Sequence, residues 1–442
     1  MNTDDPGAGG ARRAALIGAG LTGSLLAIYL ARRGWQVDVY ERRADPRRVA
    51  SAGGRSINLG LSARGLAALR EVGLLDAVLR RCVPMRGRYV HAPDGTLAFQ
   101  PYGTREGEVL HSILRNELVR LLLDEAQRHP QVRVHFGQNL VGLTPARGQA
   151  EFAGGQTVTA DLIVGADGAY STVRTVLERH GHVHTRLDVL EWGYKELTIP
   201  AADDGAARTP LHGLHVWPGG GDGLMVAHPN VEQSLTATMF LPLSTLAQLD
   251  TPETVAGFLD AGFPDTATLM PDRVAEWLEH PVGRLVTVRA TPWRYADRVV
   301  LVGDAAHAVY PFYGQGMNSC FEDCSLLAGC LDRHPAALGA ALAEYQRSRK
   351  CHTDVLADLS ERNFVELRDR LRSPWFRLRK RADLVLHRAF GRAWLPLYTM
   401  ISHRTIPYAD ALRRARRQDA ALLTALVLVL GSATGLLTLL VR

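Results

Sequence analysis

Residues Ala14-Ala-Leu-Ile17-Gly18-Ala-Gly20-Leu21-Thr22-Gly23-Ser-Leu-Leu-Ala-Ile-Tyr-Leu-Ala-Arg-Arg33 carry the reading that decides the fold. A short apolar run, a turn with three glycines and a segment with apolar residues at helical spacing predict strand, turn and helix. Each glycine has its own task in such a turn: Gly18 permits the tight reversal, Gly20 leaves room for a pyrophosphate, and Gly23 lets helix and strand pack closely. The helix start then offers unpaired N–H groups and a positive dipole end to phosphate oxygens. Trp35 to Tyr40 alternates as a second strand and delivers Glu41, 23 residues after Gly18, where a carboxylate can hold ribose hydroxyls. This motif by itself does not choose between FAD and NAD.

Two later segments repeat the pattern of a buried strand that ends in a carboxylate. They are Asp161-Leu-Ile-Val-Gly-Ala-Asp167-Gly168, followed by a helix start, and Arg298-Val-Val-Leu-Val-Gly303-Asp304-Ala-Ala-His307. Either one alone is compatible with a strand end whose Asp caps the next helix. Taken in order after the Gly-rich turn, the set resembles the flavoprotein aromatic hydroxylases, the single-component FAD monooxygenases. That resemblance implies that Asp304 binds the ribityl chain of FAD. The loop Pro311-Phe-Tyr-Gly-Gln-Gly-Met317-Asn318 enters a helix, and the backbone N–H groups of Met317 and Asn318 are its candidates for stabilising negative charge on the flavin pyrimidine. His307, beside a strand end, reads as a hydrogen-bonded structural residue.

Composition is compatible with this outline. With 442 residues, 46% hydrophobic and 22% charged, the chain is long enough for two packed domains and has ordinary globular composition. The net charge of +6 comes from scattered Arg plus one cluster, Arg413, Arg414, Arg416 and Arg417, next to an apolar tail, which points to a membrane and not to nucleic acid. Five cysteines show no metal-ligand or CxxC spacing and read as reduced thiols, and no metal site is expected. Met1 to Arg13 lack an apolar h-region, so no secretory signal is predicted. Residues 420–441 run 22 positions without a charge, which predicts a transmembrane helix. The basic cluster before it places the catalytic body in the cytosol.

Between Gly193 and Pro242, short alternating runs ended by turn residues predict an antiparallel sheet. It either covers the nucleotide domain and walls off a dry pocket or forms a dimer face. The expected fold is α/β: a Rossmann-like FAD-binding domain (12–180 and 290–335, with 80–105 contributing to the pocket), an antiparallel β-sheet substrate domain (181–289) and a C-terminal helical segment (336–412).

The resemblance narrows through strings outside the flavin motifs: Gly54-Arg-Ser-Ile-Asn58-Leu-Gly60-Leu-Ser62, Pro84-Met-Arg-Gly-Arg88, Pro101-Tyr102-Gly103, Gly314-Gln-Gly-Met-Asn318, Phe321-Glu-Asp-Cys324 and Pro396-Leu-Tyr398-Thr-Met400. These are similar to the branch of the family whose substrate is L-kynurenine. The resemblance implies NADPH- and O2-dependent conversion of that amino acid to 3-hydroxy-L-kynurenine, with O2 activated at the flavin C4a position. It places the substrate carboxylate on Arg88, Tyr102, Asn363 and Tyr398, roles suited to a planar guanidinium fork and neutral donors. It also implies non-covalent FAD held by Gly18, Gly20, Leu21, Thr22, Gly23, Tyr40, Glu41, Arg42, Arg43, Gly60, Arg115, Leu140, Asp304, Met317 and Asn318. No catalytic acid or base is implied, because the ring is already activated by its amine. The sequence departs from the branch at Tyr313, where Phe or His is usual, and at Gly60, where Ala is common. A hydroxylase of another aromatic acid and a non-catalytic flavin-binding membrane sensor are the alternative readings.

Overall fold

A strand whose residues are apolar on both faces must be covered on both faces, and Ala14–Ile17 occupies such a place. In the computed structural model the strand Arg13–Ile17 lies inside a six-stranded sheet, ordered Arg294–Tyr295, Val299–Leu301, Leu162–Gly165, Arg13–Ile17, Gln36–Glu41, Val132–Phe136. All neighbours are parallel apart from the edge pair Arg294–Tyr295 and Val299–Leu301. The three strands read from sequence as carrying nucleotide contacts are therefore adjacent, with their C-terminal ends on one side of the sheet. The structure describes residues 11–48, 57–92, 94–103, 105, 107–219, 223–366, 368 and 374–440, without the side chains of 374–377, 380 and 425–440.

The helix Leu21–Ala31 is buried from Gly23 through Ala31, because it is packed against the sheet and also against the helices Arg115–Arg128 and Gly316–Arg333. Its all-round apolar sequence fits a helix with no solvent face.

A second sheet of seven strands runs Gly283–Thr291, His184–Ile199, Leu235–Pro242, Leu224–Pro229, Leu214–Trp217, Gly87–His91, Leu97–Pro101. The runs read as strands between 193 and 242 all belong to it. What the sequence reading missed is its far edge. Gly87–His91 joins Leu214–Trp217 in parallel, so a segment more than a hundred residues upstream completes the sheet. Phe364, on the helix Leu338–Val365, packs edge-on to Trp192 at 4.9 Å and lies 4.5 Å from the Phe312 ring, which ties the C-terminal helices to this sheet.

The chain finishes in the helices Pro374–Phe390, Leu397–Ser402 and Tyr408–Leu440. Among the described residues no helix is long and apolar enough to cross a membrane. The spanning helix expected over 420–441 falls mostly on residues 425–442, which lie outside the described side chains. The described side chains of that helix run from Tyr408 to Thr424 and include the Arg cluster, so little more than one turn of the uncharged run is among them.

Candidate active site

The Gly-rich turn is built as its glycines require. Gly18 has φ +106°, and a Cβ there would lie 2.5 Å from the Ala166 carbonyl oxygen. A Cβ on Gly23 would lie 1.9 Å from the Gly18 oxygen, whereas one on Gly20 would meet nothing within 4 Å. The first intrahelical bond runs from Ser24 N–H to the Gly20 carbonyl, and no side chain caps the helix, so the N–H groups of Leu21, Thr22 and Gly23 stand at an open helix start. Glu41 reaches over the turn, accepting from Ala19 N–H and Arg43 N–H at 3.0 Å each, and its carboxylate keeps further lone pairs.

Tyr40 and Leu140, both expected as cofactor contacts, have side chains turned into the core, so what they can offer a nucleotide is backbone. The Tyr40 ring is stacked between His135 and Phe152 at 4.8 and 4.5 Å, and burial pushes its pKa up to about 12. Only its carbonyl serves the turn, accepting from Gly18 N–H at 2.8 Å. Leu140 is also buried, in the core, at the start of the strand Leu140–Thr144. Arg42, Arg43 and Arg115 are exposed, Arg115 at the first position of its helix.

A second wall of the cradle comes from the Gly303-Asp304 corner and the helix Gly316–Arg333. Gly303 has φ +65°, and a Cβ there would press on Thr22 and Cys320, so this corner touches the phosphate turn directly. The helix start at Gly316 has no side-chain cap, and Ser319 N–H makes the first return bond, leaving the amides of Met317 and Asn318 available. The Asn318 side chain has a separate role: Nδ2 donates to the carbonyls of Gly60 (2.8 Å) and Gly314 (2.9 Å), and Oδ1 accepts from Ser62 N–H. It thereby pins the strand Asn58–Leu61 to the helix. Asp167 is a cap, accepting from Ser171 Oγ, Thr172 N–H and Val173 N–H. An open pyrophosphate approach, two uncapped helix starts and a carboxylate at a strand end fit a flavin dinucleotide.

Arg88, Tyr102, Tyr313, Asn363 and Tyr398 come together on the lining of one cavity of about 940 Å³. The Arg88 guanidinium carbon lies 5.6 Å from the Tyr102 ring centre and 5.2 Å from that of Tyr398. The two rings stack at 5.6 Å, and Tyr313 stands 6.0 Å from Tyr398. Arg88 Nε and the Tyr102 hydroxyl are buried and make no hydrogen bond of good geometry, although the Arg88 guanidinium and the Tyr102 and Tyr398 hydroxyls are close enough to interact. Burial pushes the hydroxyls of Tyr102 and Tyr313 well above the ordinary tyrosine range, so both are neutral donors at physiological pH. Asn363 has part of its capacity committed, since Nδ2 donates to the Phe312 carbonyl at 2.7 Å, leaving one N–H and the oxygen.

The strand Gly87–His91 holds Arg88 firmly because its alternate residues are anchored on the opposite face. His91 contacts Asp265 at 2.6 Å and His215 at 2.8 Å, and His215 donates to the Pro210 carbonyl at 2.6 Å. Burial lowers the His215 pKa to about 4, so the ring is neutral there.

Sequence reasoning missed three features. His403 is buried beside Tyr398 (5.9 Å) with Nε2 unpartnered, and burial lowers its pKa to about 4. Arg64 and Arg349 are both 1% exposed, and each is paired with a carboxylate on the helix Gly316–Arg333. The C-terminal helix supplies Leu412, Gln418, Asp419 and Leu422 to the cavity wall. The two Arg pairings have no local signal, because they join residues 258 and 26 positions apart. His307 does have the structural role expected of it, bonding Asp323 at 2.5 Å. Among the described residues no group of His, Cys, Asp or Glu is arranged to hold a metal ion.

Residues 12–360 match the FAD binding domain family. The chain is 57% identical to kynurenine 3-monooxygenase of Salinispora arenicola, an alignment covering 93% of this chain and 92% of the relative. It is 38% identical to the enzyme of that name from Sus scrofa, over 96% and 92% of the two chains. Among solved structures, 2-methyl-3-hydroxypyridine-5-carboxylic acid oxygenase superposes with a TM-score of 0.68 at 22% identity, covering 83% of this chain and 95% of the other, which speaks to the fold alone. The nucleotide cradle, the cavity and a similarity that spans more than nine-tenths of both chains agree, and the chain belongs to the kynurenine 3-monooxygenase family of FAD-dependent monooxygenases.

Proposed function

We propose that the protein hydroxylates L-kynurenine at the ring carbon beside the amine, consuming NADPH, O2 and a proton and releasing 3-hydroxy-L-kynurenine, NADP+ and water. The observation that carries this reading is the pair of unsatisfied buried donors, Arg88 Nε and the Tyr102 hydroxyl, in one cavity with Tyr398 and Asn363. A buried polar atom left without a partner costs about 1–3 kcal/mol. A ligand carboxylate at this place would satisfy both at once. FAD, when bound, supplies the redox chemistry, accepting hydride from NADPH and activating O2.

The residues of the chain do the rest. Gly18, Gly20, Gly23, Glu41, Asp304 and the amides of Met317 and Asn318 hold the cofactor. Arg88, Tyr102, Tyr398 and Asn363 fix the amino-acid end, so that the ring is presented at a set depth. The seven-stranded sheet and the helix Leu338–Val365 shield the reacting centre from water, which would otherwise divert activated oxygen. The division into a discontinuous cofactor domain, a sheet domain and a helical segment follows the same logic. Incubation with kynurenine and a panel of other aromatic acids, with products identified by mass spectrometry, tests the assignment. NADPH consumption without hydroxylated kynurenine, or another acid hydroxylated in preference, would reject it.

Tyr102→Phe removes a hydroxyl that makes no hydrogen bond of good geometry in the free protein. Its melting temperature is therefore expected to stay or rise slightly, while KM for kynurenine rises roughly tenfold because one carboxylate donor is gone. A lowered melting temperature with unchanged KM would assign the hydroxyl a structural role instead.

The uncharged run 420–441 is proposed on its sequence as a membrane attachment, with the catalytic body on the cytosolic side. A cut after Thr424 is expected to move the protein from the membrane pellet to the supernatant with kynurenine turnover retained. A cut after Gln418 also removes Asp419, Leu422 and Leu423 from the cavity wall and should weaken substrate binding. Protein that stays in the pellet after the first cut would refute the attachment.

A further inference from the structure

Gly303 and Asp304 sit at a corner that the chain cannot hold for nothing. Gly303 adopts φ +65° and ψ −142°, a region open essentially to glycine, where backbone freedom is lost at the greatest entropic cost. Its N–H points into the protein and donates to Asp323 Oδ2 at 3.1 Å. The same oxygen receives His307 Nε2 at 2.5 Å, and Asp323 Oδ1 accepts from Arg349 Nε at 2.6 Å. Asp323 is wholly buried, with His307 and Arg349 at 5% and 1% exposure. Burial alone would raise the carboxyl pKa, but the contacts from His307 and Arg349 outweigh it and hold Asp323 below the ordinary range.

The neighbours extend the arrangement in two directions. Arg349 also donates to Glu322 at 2.7 Å and to the Ser319 carbonyl and hydroxyl, and Glu322 accepts from Arg64 at 2.7 Å. Arg64 lies 4.0 Å over the Tyr408 ring. Asp323 lies on the helix whose start carries the Met317 and Asn318 amides, and Arg349 lies on the helix that carries Asn363. One carboxylate thus connects the corner bearing Asp304 to a helix from each side of the site.

We propose that Asp323, fixed by Arg349 and His307, is a positioning residue for the cofactor site: it holds the Gly303 corner so that Asp304 is presented to the flavin nucleotide. This rests on the reading of Asp304 as a cofactor ligand. Glu322 belongs to the same buried network but does not touch the corner, so it separates positioning from simple structural support.

The experiment measures FAD dissociation constants on deflavinated protein by fluorescence titration, beside circular-dichroism melts, for wild type, Asp304→Ala, Asp323→Asn, Glu322→Gln and Arg349→Lys. The wild type should bind one FAD, and Asp304→Ala should bind it weakly. Asp323→Asn should weaken FAD binding roughly tenfold or more, as expected for losing a charge-assisted contact, while Glu322→Gln, though less heat-stable, stays within about twofold of wild type. Arg349→Lys keeps the charge but not the fork, and should show an intermediate loss; it carries the test if Asp323→Asn does not fold. Wild-type affinity in Asp323→Asn, or in Arg349→Lys where that variant stands in, overturns the inference with the cofactor reading intact. Equal weakening in Glu322→Gln also overturns it, because general loosening then explains the effect. Wild-type affinity in Asp304→Ala removes the reading of Asp304, and this inference with it.

Discussion

Gly20→Val is expected to give a folded protein that retains no FAD. The backbone at Gly20 is extended, φ −74° and ψ −168°, which any residue can adopt, and the space beside it is open for at least 4 Å. Nothing among the described residues requires a glycine there. What a side chain would occupy is the approach to the amides of Leu21, Thr22 and Gly23, the place for a pyrophosphate. Apo variant and apo wild type should therefore melt within about 0.5 kcal/mol of each other, the usual range for an exposed substitution. Added FAD should raise the melting temperature of the wild type only, since a ligand stabilises in proportion to how tightly it binds. Gly23→Val is the contrast, because its Cβ meets a backbone oxygen at 1.9 Å and the turn itself must move. Absorbance at the flavin band per protein, together with melts with and without FAD, checks all of this. Stoichiometric flavin in Gly20→Val would show that the turn does not hold the pyrophosphate.

Arg88→Ala should lower kcat/KM for kynurenine by roughly two to three orders of magnitude, as removing one partner of a buried charge pair costs about 2–5 kcal/mol. Flavin content should not change, because Arg88 lies on the far sheet, away from the Gly-rich turn. The free protein is expected to be no less stable and even slightly more so, since a guanidinium with an orphaned Nε is removed from a buried place. Opposite signs for stability and affinity are what a site prepared for an absent anion predicts. Arg88→Lys keeps a charge but loses the planar fork, and should fall between wild type and Ala. Steady-state kinetics and thermal melts decide the matter, and a wild-type KM in Arg88→Ala would take Arg88 out of the site.

How much of this was legible depended on the range of the interactions. The Gly-rich turn, the strand ends at Asp167 and Asp304 and the runs of the antiparallel sheet are local patterns, and the structure has them where sequence periodicity puts them. At Tyr40 the alternation of the strand directs the ring into the core and leaves the backbone beside the turn. The Arg349–Asp323 pair spans 26 residues and the Arg64–Glu322 pair 258, and no window of sequence encodes either. Arg88 was reached only through resemblance. Its strand, with the hairpin partner Leu97–Pro101, completes a sheet whose remaining members begin about a hundred residues later, which no local propensity announces.

The order of these segments along the chain has a consequence during synthesis. Every residue assigned to the cofactor cradle precedes residue 320, and Arg349 closes the network behind it. The substrate cavity also needs Asn363, Tyr398 and a wall running from Leu412 to Leu423. Domains fold from the N-terminus as they emerge from the ribosome. A growing chain therefore reaches a stage at which the flavin site can be filled while the reaction chamber still lacks one side. On the proposed reading, flavin reduced at that stage would meet oxygen and water together, and the chain would be open to wasteful oxidation until its last helix docks.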